Sequence, residues 1–127
     1  MKPLIYAGLM LGFLIALIGA CKYDDILPPE PDPGKTIYFS TDVVPIFNAS
    51  CNGSSCHNGN GPSPDLRSAV AYEQLWGAEL LDTIEPANSE IYLWMTGAKG
   101  LSMPPGGNQP ADAATILQWI DQGAKNN

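Results

Sequence analysis

The sequence predicts an all-α domain of a few short helices, and three observations lead there. Apolar residues recur at helical spacing in four separate segments, no stretch alternates apolar and polar residues long enough to make a strand, and two segments rich in Gly, Pro, Asn and Ser interrupt the helices. The domain is expected over residues 37–127. Ser40 or Thr41 caps the first helix, which carries Asp42 in its first turn, turns Val43, Val44, Ile46 and Phe47 inward, and holds Pro45 early enough to be tolerated. That helix leads into Cys51, and residues 52–64 read as loop.

The second helix covers "SAVAYEQLW", with Val70, Tyr72, Leu75 and Trp76 spaced for one buried side. Ser89 as N-cap and Glu90 in the first turn open the third, which runs through "IYLWM" to a stop at Gly97. Met95 sits on it at core spacing and reads as packing. The loop "GAKGLSMPPGGNQP" follows, with Met103 in its middle. After Pro110 the last helix, "ADAATILQWIDQGA", places Ala113, Ile116, Leu117, Ile120 and Ala124 on one face with Trp119 beside it.

The first twenty residues carry one positive charge, at Lys2, an apolar run from Leu4 to Ile18, and small residues before Cys21, which is an export signal. Ile18, Gly19, Ala20 and Cys21 resemble the lipobox of bacterial lipoproteins, which implies that Cys21 becomes a lipid-modified N-terminus. An uncleaved signal anchor is the alternative, and both readings hold the chain at a membrane. Residues 21–36 then form a Pro- and Asp-rich tether; extended chain of this kind reaches roughly 40 Å. Lys22, Asp24 and Asp25 resemble the surface-export signals of some Gram-negative lipoproteins. The net charge of −7 excludes a nucleic-acid binder, which needs clustered Lys and Arg. An apolar core is marginal at this size, so a disulfide, a metal or a covalently held cofactor is expected to supplement it.

The means of attachment lie in "NASCNGSSCHNG", residues 48–59, which holds two of the three cysteines and the one histidine. It reads as a stretched C-x-x-C-H haem-attachment motif with four residues between Cys51 and Cys56 and with His57 directly after. In such a motif the thiols add to the haem vinyl groups and the histidine takes the iron. Low-spin electron transfer needs a second axial ligand, and Met103 in "SMPPGG" is the candidate, because it sits between Gly100 and a Pro-Pro-Gly-Gly run rather than on a periodic element.

The pieces "DVVPIFNASC", "PANSEIYLWMTG", "SMPPGG" and "ILQWIDQGA" occur in the order found in the small c-type cytochrome domains of environmental bacteria, which residues 37–124 resemble. The resemblance implies a class I cytochrome c fold, with short helices around one covalent haem c and the first and last helices crossing near Phe47 and Trp119. It also implies thioethers at Cys51 and Cys56 and axial ligation by His57 and Met103. The four-residue spacer is a departure from the usual pattern, and Gly53 is suited to form the resulting bulge.

The expected function is single-electron transfer by a membrane-tethered monohaem cytochrome, exported and lipid-anchored to the bacterial cell envelope, the expected residence being the outer membrane with a periplasmic or surface-facing domain. Its partners are expected to be redox proteins with a basic docking face. No enzyme activity is expected while both axial positions are filled; weak peroxidase chemistry requires Met103 to be absent. The alternative is a haem-free surface lipoprotein stapled by a Cys51–Cys56 disulfide and acting as an interaction module. A zinc site would need a fourth ligand, from an Asp.

Overall fold

The computed structural model describes residues 32, 34–107 and 109–127. The export signal, Cys21 and the tether as far as residue 31 lie outside the described residues. Among the described residues the chain forms four helical segments and no strand, as expected of an all-α domain. The first, α1, is a continuous run over 39–51 made of a π-helical turn Phe39–Val43, an α-helical turn Val44–Ile46 and a second π-helical turn Phe47–Cys51. Pro45 offers no N–H to a regular ladder, and bonds shifted by one residue flank it: Val44 N–H donates to the Phe39 carbonyl and Asn52 N–H to the Phe47 carbonyl at 2.9 Å.

Three further helices follow: α2, Ala71–Gly77; α3, Glu90–Thr96, preceded by a 3₁₀ turn at Pro86–Asn88; and α4, Pro110–Asp121. Pro110 starts α4 at a position where a missing N–H costs nothing. Gly123 and Ala124 close α4 with a Schellman motif, Ala124 N–H donating to Trp119 and Gly123 N–H to Ile120. The same motif ends α2, through Leu80 to Leu75 and Glu79 to Trp76, but here Glu79 occupies the left-handed position at φ 55°.

The core lies where α1 and α4 meet. Val43, Phe47, Ile116, Trp119 and Ile120 are essentially inaccessible, and Phe39 joins the two helices with its ring 6.4 Å from Phe47 and 5.2 Å from Trp119. Tyr72 of α2 stacks edge-on against Phe39 and donates its hydroxyl to the Ala124 carbonyl at 3.1 Å. Trp119 Nε1 donates to the Lys125 carbonyl at 2.9 Å, so this buried indole has its polar atom satisfied.

Several local expectations need correction. Neither Ser40 nor Thr41 caps α1; its first N–H groups are taken by Asp42 Oδ2 (from Tyr38), Asn127 Oδ1 (from Phe39) and the Asn127 carbonyl (from Ser40). Two of the three acceptors come from the far end of the chain. Ser89 occupies the N-cap position of α3, but its buried hydroxyl accepts the Asp82 N–H at 2.8 Å instead of capping the helix. In α2 the buried positions are Ala71 and Leu75, while Trp76 is exposed. The domain also engages chain upstream of residue 37: Gln118 Nε2 donates to the Asp32 and Lys35 carbonyls, and Gln122 Nε2 donates to the Lys35 carbonyl at 2.8 Å.

Candidate functional site

The two loops anticipated from composition face each other across α3. The first leaves the C-terminus of α1 at Cys51 and passes through Cys56 and His57 before Leu66 returns to the core. His57 N–H donates to the Cys51 carbonyl at 3.0 Å, and the His57 carbonyl accepts the Leu66 N–H at 2.8 Å, so the motif is held at both ends. The second loop begins where Gly97, at φ 79°, stops α3. Met103 N–H returns to the Trp94 carbonyl at 2.9 Å, and Gln109 Nε2 reaches Ser50 Oγ at 3.2 Å, pinning the end of this loop beside Cys51.

Between them lies a cavity of about 430 Å³, within the range typical of cofactor sites. Cys51, Cys56, His57 and Met103 all line it, together with the apolar side chains of Phe47, Leu66, Leu80, Ile91, Trp94 and Met95 and the rings of Pro62, Pro64, Pro104 and Pro105. The four residues that sequence chemistry singled out therefore share one wall system, although 46 positions separate His57 from Met103 (103 − 57). Met95, read from sequence as packing, is buried and also lines the cavity.

The His57 ring has a fixed orientation. Its Nδ1 lies 3.1 Å from the Pro62 carbonyl and 3.0 Å from the Pro64 carbonyl. Carbonyl oxygens only accept, so Nδ1 carries a proton, and in the neutral ring Nε2 then presents a lone pair. Cys51 and Cys56 are free, half-buried thiols. Burial pushes the Cys51 thiol up to about 11, with the Asp112 carboxylate and Cys56 adding to the effect. Its Sγ lies 4.0 Å from the Ile46 carbonyl.

No family model, curated protein or solved structure matches this chain. The chemistry of the site has to be read from its own atoms. Two thiols for covalent anchorage, one imidazole nitrogen with a free lone pair, a thioether and an apolar enclosure form a donor set that fits a haem. Among the described residues no three His, Cys, Asp or Glu side chains gather as they would around a metal ion.

The features sequence reasoning missed here are backbone ones. The Pro62 and Pro64 carbonyls orient His57, and Gly61 lies so close to the Cys56 carbonyl that a Cβ there would overlap it. The run of Gly and Pro after His57 was the available signal; it indicated a loop without indicating which way its carbonyls turn.

Proposed function

We propose that this chain is a membrane-tethered monohaem c-type cytochrome that carries single electrons between redox partners of the bacterial envelope. The observation that carries the reading is the meeting of Cys51, Cys56, His57 and Met103 on one apolar cavity, with His57 Nδ1 engaged by two carbonyls and Nε2 left to ligate. Cys51 and Cys56 would hold the haem as thioethers, and His57 and Met103 would bind its iron. Haem bound there supplies one reversible one-electron couple.

The chain's own residues do the rest. Phe47, Leu66, Leu80 and Ile91 keep water from the group, which favours the less charged redox state, and the thioether favours the ferrous one. With both axial positions filled, the reading is a carrier rather than a catalyst. Residues 73–90 carry Glu73, Glu79, Asp82, Glu85 and Glu90 and no Lys or Arg, which supports a partner with a basic docking face. Attachment through a lipidated Cys21 predicts that Cys21→Ser moves the protein from the membrane to the soluble fraction; retention in the membrane would favour the uncleaved anchor.

The experiment that tests the reading is expression with a haem-maturation system, followed by a haem-stained denaturing gel and a pyridine haemochrome spectrum. A stained band with a c-type α-band is the expected result. A colourless protein whose Cys51 and Cys56 are oxidised to a disulfide would overturn it in favour of a haem-free interaction module.

A further inference from the structure

We infer that Asn58 is a positioning residue that makes the four-residue spacer of the motif workable, an inference that rests on the haem-attachment reading above. The spacer, Asn52, Gly53, Ser54 and Ser55, is two residues longer than in C-x-x-C-H. The extra chain is drawn into a turn, in which the Gly53 carbonyl accepts the Cys56 N–H at 2.9 Å and the Asn58 Nδ2 at 2.9 Å. At its other end, Asn58 Oδ1 accepts the Asn60 N–H at 3.1 Å. These partners fix the amide's orientation, because a carbonyl only accepts and an N–H only donates.

One side chain therefore ties the spacer to the segment that orients His57. Beyond Asn60, Gly61 lies against the Cys56 carbonyl, and the Pro62 and Pro64 carbonyls receive the His57 ring. A two-residue spacer has no such turn to close. Each attachment adds a thiol across a vinyl C=C bond: a C–S bond forms, the sulfur's hydrogen goes to the neighbouring carbon, and no oxidant or reductant is consumed. Two such additions to one ring need Cys51 and Cys56 at a set separation, and the Asn58 clamp holds the loop that determines it.

The test is Asn58→Asp in the full chain, expressed with a haem-maturation system. This variant keeps the size and the acceptor for Asn60 but faces the Gly53 carbonyl with an oxygen. Intact mass and the position of the pyridine haemochrome α-band report the ratio of doubly to singly attached haem. Loss of one hydrogen bond should lower that ratio roughly 2- to 10-fold. The same substitution in a chain lacking Ser54 and Ser55 should leave the ratio unchanged. An unaltered ratio in the four-residue chain, or an equal fall in both backgrounds, overturns the inference. Thermal melting of the doubly attached species, isolated from parent and variant, gives an independent arm: a lower ratio at unchanged melting temperature of that species supports positioning, and a matching fall in its melting temperature overturns it. A parent chain without haem would instead defeat the proposed function itself, so the two failures are distinguishable.

Discussion

The contact between α1 and α4 is made by side chains, whereas in the cavity beside it the donor groups are set in place largely by backbone carbonyls. At the helix contact Phe39, Phe47, Ile116, Trp119 and Ile120 interlock with almost no exposed surface. Around the cavity, carbonyls of Pro62 and Pro64 aim a histidine, a carbonyl of Trp94 holds the Met103 loop, and Gly61 passes where any side chain would collide. The first region stabilises the domain through buried apolar area, and the loops of the second set the geometry of a few donor atoms through backbone hydrogen bonds. Stability and site chemistry should accordingly respond to different substitutions.

The largest effect is expected at the helix contact. Trp119 is 1% exposed, so Trp119→Ala should cost about 3–5 kcal/mol in urea unfolding. Domains of this kind hold only about 5–15 kcal/mol in total, and the variant should be close to unfolding at 37 °C. A loss below about 1 kcal/mol would mean that the core is organised around something else.

At the cavity the balance reverses. Met103 is 37% exposed, and Met103→Ala should change stability by less than about 1 kcal/mol. On the proposed function it should leave the haem attached, lower its reduction potential and abolish the sulfur-to-iron charge-transfer band. An unchanged potential with the band intact would remove Met103 from the site.

The ends of α2 and α4 offer a finer comparison, since both close with the same motif and only α4 uses glycine at the left-handed position. Glu79→Gly removes a left-handed cost of roughly 1–2 kcal/mol while adding about 0.5–1 kcal/mol of unfolded-chain freedom. The net should be a stabilisation of up to about 1 kcal/mol, measured by denaturant midpoint. A destabilised variant would show that Glu79 makes a contact worth more than its backbone costs.

The smallest effect concerns the cap of α1. Asp42 accepts the Tyr38 N–H and lies 2.9 Å from Lys35 Nζ, and these two groups hold its carboxyl below the usual carboxylate range. A depressed folded-state value means that the stabilisation is present at neutral pH and is lost as pH falls through that value. Asp42→Asn should thus cost less than about 1 kcal/mol near pH 7, given solvent screening of an ion pair at the surface. The difference from the parent should vanish in acid; a difference independent of pH would assign the effect to helix capping without charge.

The sequence revealed the side-chain half of this molecule and little of the backbone half. Residue type together with local spacing marked Cys51, Cys56, His57 and Met103 as candidates, because few roles need a thiol pair, an imidazole and an off-helix thioether together. Periodicity marked Ile116 and Ile120 because helix faces repeat. It missed most of the cap of α1, since Asn127 is remote in sequence and supplies two of the three acceptors from across the fold. It misjudged Trp76, where a helix of only seven residues buries a narrower stripe than its apolar content suggests. Met95 escaped as a cavity residue because one buried face serves the core and the cavity alike.

The unequal exposure of the two methionines has a consequence for chemical wear. Met95 is 6% exposed and Met103 37%, so in the chain to which no haem is attached an oxidant in the surrounding solution meets the loop methionine first. Oxygen added there turns an apolar thioether into a polar sulfoxide, a change that methionine sulfoxide reductases can undo. Damage at this stage would cost the proposed site its thioether while leaving the packed interior untouched, and the Met103 sulfoxide fraction would record how much peroxide the chain met before haem was attached.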